Sequence, residues 1–136
     1  MKHRKERALF EDLKKNLVPD LQEYKGQNFV CDCYSEELSC EIELKVRRSH
    51  YDTLIIEKNK FNAIIRVAQE HNRRAIYINK TPKGVFAFDL GKIQSDKQLK
   101  WEVSQLPTTT YWNKKSKRKN VLYLPISWAI ELTDKL

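Results

Sequence analysis

The stretch FVCDCYSEELSCEIELKVRR, residues 29–48, decides the fold, because apolar and polar side chains alternate along both of its arms. Alternation with a period of two residues is typical of β-strands that bury one face. We therefore predict strands at 28–34 and 40–47, joined by the polar turn SEELS. Together they would form an antiparallel β-hairpin.

The two faces of this predicted hairpin differ in chemistry. A turn centred on 37–38 places Asp32 directly opposite Glu43. One face then carries Val30, Asp32, Tyr34, Glu41, Glu43, Lys45 and Arg47, and the other carries Phe29, Cys31, Cys33, Cys40, Ile42, Leu44 and Val46. The second set is apolar if cysteine is counted as a small hydrophobic side chain, so we expect it to face the core.

The polar face carries two carboxylates that repel each other unless a cation lies between them. Like charges directly opposite one another destabilise a sheet, and Mg²⁺ binds through one or two carboxylates together with phosphate and water oxygens. Lys45 projects from the same side and can orient a water molecule or neutralise a phosphate in the transition state. The pattern predicts metal-assisted phosphodiester hydrolysis, with Asp32 and Glu43 as metal ligands. A charged face that simply meets solvent is the alternative.

An amphipathic helix is predicted at 4–17, ended by Pro19. Its apolar stripe consists of Leu9, Phe10, Leu13 and Leu17. Glu6 falls within this stripe, and a carboxylate on a core-facing side is costly without a partner. Glu6 therefore either reaches over the sheet to the same metal centre or only interacts favourably with the helix dipole.

The remaining segments predict an α/β fold. Helical spacing marks a second helix at 58–72. β-rich runs predict strands at 52–56 (either a strand or a lead-in), 74–79, 85–90, 99–103 and 120–125, with KTPKG as a turn and Ser127 as the cap of a short C-terminal helix. This order predicts one domain over 1–136, with a mixed central β-sheet flanked by helices.

The charge of the chain predicts a polyanionic partner. Its 136 residues carry a net charge of +8, and basic chains commonly bind nucleic acid. The predicted loop 108–120 is strongly basic, and Tyr111 and Trp112 within it could stack on bases. We predict nucleic-acid contacts from Arg47, Arg48, Lys58, Lys60, Lys114, Lys115, Lys117, Arg118 and Lys119. A solvated basic surface is the alternative.

Several classes of protein are disfavoured by the sequence. No apolar run is long enough to span a bilayer, and the charged start MKHRKER predicts no secretory signal, so we expect a cytoplasmic protein without a membrane partner or an organic cofactor. With no predicted secretory signal, Cys31, Cys33 and Cys40 are predicted to be reduced thiols, and their spacing does not suit a zinc site. The scattered histidines receive no metal role, although His50 could act as a general base.

Three pieces of the chain together resemble the PD-(D/E)XK nuclease superfamily: KERALFEDL at 5–13, Asp32, and EIELK at 41–45. The nearest resemblance is to small Holliday-junction resolvases of archaeal and phage type, over about residues 4–90. The resemblance implies a mixed central sheet with helices on both sides, Mg²⁺ or Mn²⁺ as cofactor, DNA as substrate and, in many members, a homodimer.

The same resemblance implies a role for each matching residue. Asp32 and Glu43 would be metal ligands, Lys45 the catalytic lysine and Glu6 the supporting acid. The family's proline before the aspartate is Cys31 here, whereas a literal Pro-Asp occurs at 19–20. We prefer Asp32 because the hairpin places it beside Glu43, and Asp20 stays open as the motif aspartate.

These observations predict a metal-dependent DNA endonuclease, with branched or junction DNA among its candidate substrates. A bacterial, archaeal or phage source would suit such an enzyme. Two alternatives remain from the residues alone. One is a basic nucleic-acid-binding module without catalysis, and the other is a nuclease-fold protein with a structural or regulatory role.

Overall fold

Helices and strands alternate along the chain. The structure is a computed structural model that describes residues 4–26, 28–107 and 116–136, without the side chains of 106–107 and 116–117. Its elements are α1 Arg4–Asn16, β1 Gln22–Glu23, β2 Cys33–Ser35, β3 Cys40–Val46, β4 Thr53–Glu57, α2 Lys58–Glu70, β5 Arg74–Thr81, β6 Gly84–Asp89, α3 Leu90–Asp96, β7 Glu102–Pro107, β8 Ser116–Pro125 and β9 Ile130–Glu131, with 3₁₀ turns at Ile126–Trp128 and Thr133–Lys135.

A six-stranded mixed sheet forms the centre of the fold, in the strand order β1-β2-β3-β5-β6-β9. β3 and β5 run parallel, and the other neighbours pair antiparallel. Parallel strands require a crossover connection, and here β4 and α2 supply it. The predicted mixed α/β fold is confirmed.

α1 forms where the apolar stripe predicted it and ends one residue earlier. Leu9, Phe10 and Leu13 are buried. After the last turn, the backbone N–H groups of Leu17 and Val18 both donate to the carbonyl of Leu13, at 2.9 and 2.8 Å. Pro19 then prevents the helix from continuing.

Helices cover both faces of the central sheet. On one face, α1 packs over a cluster formed by Leu9, Phe10, Leu13, Cys33, Cys40, Ile42, Leu44 and Ile78, among others. On the other face, α2 and α3 pack with side chains of a smaller sheet in a cluster that includes Leu54, Ile56, Phe61, Ile64, Tyr77, Phe88, Ile93 and Leu124. The alternating side chains of β3 therefore point into two different surroundings.

The turn between β5 and β6 requires glycine at one position. Pro82 and Lys83 form the predicted turn, and Gly84 has a φ of +148°. A Cβ atom at Gly84 would also collide with the Thr133 hydroxyl oxygen. The Val85 backbone N–H donates to that hydroxyl at 3.0 Å, so the C-terminal segment locks the turn in place.

A second, three-stranded sheet with the order β4-β8-β7 was not predicted. β8 begins at Ser116 and pairs antiparallel with β7 as far as Val121. The predicted loop at 108–120 is therefore wrong for 116–120, where pairing with β7 extends the strand, and 108–115 lies outside the described residues.

Three further boundaries differ from the sequence prediction. The first hairpin strand covers only Cys33–Ser35, and β7 begins at Glu102 rather than residue 99. Ser127 does not cap a helix, because it lies inside a 3₁₀ turn that is preceded by Pro125. In the described part of the chain, no helix has the length and hydropathy to cross a bilayer.

Candidate metal centre

The predicted register of the hairpin is confirmed in the structure. Cys33 pairs with Ile42 and Ser35 pairs with Cys40. Just before this regular segment, the Asp32 backbone N–H donates to the Ile42 carbonyl at 3.0 Å. The Asp32 carboxylate accepts the Leu44 backbone N–H at 2.8 Å, which fixes this side chain against β3.

Regular alternation stops at this point, and two side chains depart from the predicted apolar face. Cys31 packs with the cluster around Leu54 and Phe61, on the opposite side of the sheet from Cys33. Phe29 is exposed and stacks on Tyr24 with a centroid distance of 4.7 Å. The prediction that both face one core was wrong, because pairing with β3 becomes irregular before Cys33.

All three cysteines are buried free thiols. Burial raises the pKa of Cys31 and Cys33, so neither thiol is activated as a nucleophile. Their surroundings agree with the predicted role of cysteine as a small hydrophobic side chain.

The carboxyl groups of Asp32 and Glu43 meet at the edge of β3. Their side chains lie close enough to interact directly, and Glu43 is largely buried. Burial, and next the neighbouring Asp32 charge, raise the pKa of Glu43 to about 8. The pair therefore favours either a shared proton or a cation.

Lys60 is a cation that contacts Glu43. Its Nζ lies 2.8 Å from a Glu43 carboxylate oxygen and donates to the Val30 carbonyl at 3.0 Å. Lys60 was predicted to contact nucleic acid, whereas here it binds Glu43 from the first turn of α2. Its charge opposes the rise in the pKa of Glu43.

Lys45 lies two residues beyond Glu43 on the same face of β3. It is exposed and makes no hydrogen bond or ion pair with any residue that the structure describes. Its partner on β5 is Asn79, which is fully buried, and the Asn79 amide nitrogen also lacks a hydrogen-bond partner among the described residues.

Glu6 is not brought together with Asp32 and Glu43. α1 packs over Ile42 and Leu44, whose side chains point away from the face that carries Glu43. Among the described residues, no group of three or more His, Cys, Asp and Glu side chains is placed to hold a metal ion. The role of Glu6 as a supporting acid stays a prediction.

Asp20, the alternative motif aspartate, stabilises the hairpin turn. Its carboxylate accepts the Ser35 hydroxyl at 2.7 Å and the Glu37 backbone N–H at 3.0 Å. The Glu37 and Ser35 hydrogen bonds lower the pKa of Asp20. These contacts give Asp20 a local structural role, whereas Asp32 is the aspartate that meets Glu43.

A second carboxylate on β3, Glu41, is buried, which the sequence analysis did not predict. Glu41 is fully buried and accepts the Tyr24 hydroxyl at 2.8 Å and the Arg73 guanidinium at 2.7 Å. His71 Nδ1 lies 2.6 Å from the same carboxylate. Burial and the Glu41 hydrogen bond raise the pKa of Tyr24. The alternation in EIE placed Glu41 on the face of Glu43, but it did not indicate the burial of Glu41 or its three partners.

The predicted nucleic-acid contacts differ in their surroundings. The Arg47 guanidinium donates to Asn79 Oδ1, the Ile55 carbonyl and the Tyr77 hydroxyl, at 3.0, 2.7 and 2.9 Å. Lys58 lies over the Trp101 ring at 5.6 Å, and Lys119 pairs with Glu57 at 2.8 Å. Arg48 and Arg118 are exposed. Lys114, Lys115, the Lys117 side chain, Tyr111 and Trp112 lie outside the described part.

His50, predicted as a possible general base, is engaged away from the carboxylate pair. Its Nδ1 lies 2.8 Å from the Thr81 hydroxyl, and its ring packs against Phe86 at 5.5 Å. These contacts tie the segment after β3 to the β5–β6 hairpin, and its predicted chemical role stays untested.

Comparison of whole structures relates this fold to a known protein. The chain is similar to Hjc, a Holliday junction resolvase from the archaeal hyperthermophile Archaeoglobus fulgidus, with a TM-score of 0.57 and 15% sequence identity. The match covers 93% of this chain and 88% of that one. The two proteins share a fold. No protein-family profile and no curated protein matches the sequence.

Proposed function

We propose that this protein is a metal-dependent endonuclease that hydrolyses DNA phosphodiester bonds. The observation that carries the proposal is the meeting of the Asp32 and Glu43 carboxyl groups beside Lys45, which has no ion-pair partner in the described part of the chain. The fold shared with a Holliday junction resolvase supports the same class of activity and suggests junction DNA as the first substrate to test. Because fold alone does not determine function, the proposal depends on the chemistry of this site.

The donor set suits Mg²⁺ or Mn²⁺. Mg²⁺ is commonly bound by one or two carboxylates, with phosphate and water oxygens completing its coordination, and Asp32 and Glu43 supply two carboxylates. The raised pKa of Glu43 means that two anions at this point are unfavourable without a cation. A bound divalent ion would polarise the scissile phosphate and lower the pKa of a bound water.

The protein's own groups have distinct roles in this proposal. The Leu44 backbone N–H orients Asp32, and Lys60 balances the charge of Glu43 until a metal ion replaces it. The free ammonium of Lys45 binds a phosphate oxygen and stabilises the negative charge that develops there. Glu41 is excluded as a ligand because Arg73, Tyr24 and His71 already occupy its carboxylate.

A non-catalytic DNA-binding module is the second candidate. It is favoured by the Lys60–Glu43 ion pair, since a permanent protein cation at Glu43 would make a metal unnecessary. This alternative predicts salt-dependent DNA binding without cleavage under any divalent ion. A structural or regulatory protein with a nuclease fold would show neither cleavage nor strong DNA binding.

The test is cleavage of supercoiled plasmid and of a four-way junction in Mg²⁺ or Mn²⁺, with EDTA as the metal-free control. We expect Lys45→Ala to lower the rate by about 10²- to 10³-fold and Asp32→Ala to abolish metal-dependent cleavage. Lys92→Ala, which removes an exposed lysine from α3, should keep the wild-type rate. Unchanged cleavage in Lys45→Ala or Asp32→Ala would remove the proposed site.

Oligomeric state is a separate part of the proposal. Two copies of the centre in one particle would let a homodimer cut both strands of a junction. Sedimentation with and without junction DNA measures this directly, and a single copy on each junction would contradict it.

A further inference from the structure

A groove of about 490 Å³ opens just after the end of β3. It lies between the segment that leads into β4 and strand β8. Its lining includes Arg47, Arg48, Tyr51, Thr53, Ile55 and Tyr123. No carboxylate is among the described residues that line it. The groove therefore combines positive charge, hydroxyl groups and aromatic surface.

Two tyrosine rings give this groove its aromatic character. Tyr51 is 67% exposed and Tyr123 is 38% exposed. Tyr123 lies on β8, opposite Ile55 of β4, so the small sheet holds it in a fixed position. Single exposed aromatic residues are common on protein surfaces, but two that share one concave surface form a platform on which planar groups can stack.

The cationic part of the groove is also held in place. Arg47 is fixed by its bonds to Asn79, Tyr77 and the Ile55 carbonyl. Arg48 follows it and is exposed, so its guanidinium is available to a phosphate. Proteins that bind single-stranded nucleic acid combine a positively charged groove with aromatic side chains on which bases stack.

We propose that this groove binds an unpaired, single-stranded segment of DNA, with bases stacked on Tyr51 and Tyr123 and a phosphate on Arg48. The inference rests on the proposed nuclease function for its substrate, because Arg47 and Arg48 of the groove follow Lys45 by only two and three residues. A strand in the groove would thus continue across the carboxylate pair. The favoured substrate is branched DNA with a single-stranded flap next to the cleaved bond.

Binding is tested without metal, so that it does not depend on the cleavage centre. Fluorescence anisotropy with a labelled 12-nucleotide oligonucleotide in EDTA measures Kd for the full chain. We expect Tyr51→Ala and Tyr123→Ala each to raise Kd by about 5- to 100-fold, whereas Tyr51→Phe binds nearly as the wild type does. Phe29→Ala, which removes an exposed aromatic ring outside the groove, is the matched control.

Each outcome of this experiment supports or overturns the proposal. Equal Kd values for wild type and both tyrosine-to-alanine variants overturn it, as does an equal loss in Phe29→Ala. Tyr51 lies in a loop and is exposed, so Tyr51→Ala remains informative if Tyr123→Ala fails to fold, as judged by circular dichroism. If free thymidine monophosphate competes at the same concentration as the oligonucleotide, the groove is a mononucleotide site, and the proposal that it binds a DNA strand is overturned.

A cleavage experiment separates this inference from the proposed function. We expect the wild type to cut a flap-bearing junction faster than a fully paired one, and Tyr51→Ala to lose that preference while still cutting the paired junction. If no DNA is cut but the tyrosine-dependent binding persists, the nuclease proposal fails and the proposal that the groove binds single-stranded DNA is supported. If cleavage occurs and the flap has no effect on rate or binding, the groove proposal fails alone.

Discussion

Replacing Glu43 by glutamine should change how the stability of the metal-free protein depends on pH. The folded state raises the pKa of Glu43 to about 8 from an ordinary value of 4.5. Because the folded carboxyl holds its proton more tightly than the unfolded one, stability falls as pH rises from about 4.5 to about 8. Glutamine keeps the size and a carbonyl acceptor for Lys60, but it has no proton to lose in this range.

The magnitude follows from the same two values. At 1.36 kcal/mol per pKa unit, ionising Glu43 costs the folded state up to about 5 kcal/mol above pH 8. Water that enters the site on ionisation reduces this value, so we expect a loss of about 2–5 kcal/mol. Small proteins have total stabilities of about 5–15 kcal/mol, which makes the effect easy to measure.

Urea unfolding in EDTA at pH 5, 6.5 and 8 provides the assay. The wild type should lose stability across this range, and Glu43→Gln should lose less by the amount estimated above. Glu57→Gln, which changes a surface carboxylate paired with Lys119, should follow the wild-type profile. Identical pH profiles for wild type and Glu43→Gln would refute the reasoning, because they would mean that Glu43 titrates normally.

Other predictions concern metal binding and the packing around the site. Mg²⁺ at 100 times its Kd should stabilise the wild type at pH 8 by about 2.7 kcal/mol and leave Glu43→Gln unchanged in thermal melts. Glu41→Ala should cost about 3–5 kcal/mol in urea unfolding, since it removes a fully buried carboxylate that accepts hydrogen bonds from Tyr24 and Arg73; a loss below 1 kcal/mol would contradict this. Leu13→Ala should cost about 2–5 kcal/mol, and a smaller loss would mean that α1 packs loosely. Gly84→Ala should destabilise by more than 1 kcal/mol, against a Lys83→Ala control near zero.

The hairpin register could be predicted because a shift of one residue would bury the charged face. Alternation fixed which side chains of β3 face α1, and the structure places Ile42 and Leu44 there. The same rule failed for Cys31, where the strand is no longer regular. Alternation along a strand predicts which face of the sheet a side chain occupies only as long as that strand remains regularly paired with its neighbour.

The surroundings of the carboxylates could not be predicted from local pattern. The partners of Glu41 lie 17 residues before it and 30 to 32 residues after it. They come together only because the crossover through α2 returns the chain beside β3. Likewise, nothing in the sequence around Lys60 indicates that it pairs with Glu43 instead of meeting solvent.

The smaller sheet was missed for a related reason. Its strand β4 pairs with β8 from a distant part of the chain, and the basic residues at the start of β8 suggested a loop. Strand propensity depends strongly on tertiary neighbours, and β7 supplies the neighbour here. Pairing of β8 with β4 positions Tyr123 at the groove. The aromatic platform could therefore not be predicted from the sequence alone.

Two side chains, one near each end of α2, contact carboxylates of β3. Lys60 binds Glu43 from the first turn of the helix, and His71, one residue beyond its end, meets Glu41. A cation that displaces Lys60 from Glu43 removes one of these two contacts and leaves the contact of His71 with Glu41 intact. Because Phe61, the neighbour of Lys60, is fully buried, the helix keeps its place and only the Lys60 side chain is released, so side-chain NMR signals of Lys60 would report arrival of the ion while those of His71 stay unchanged.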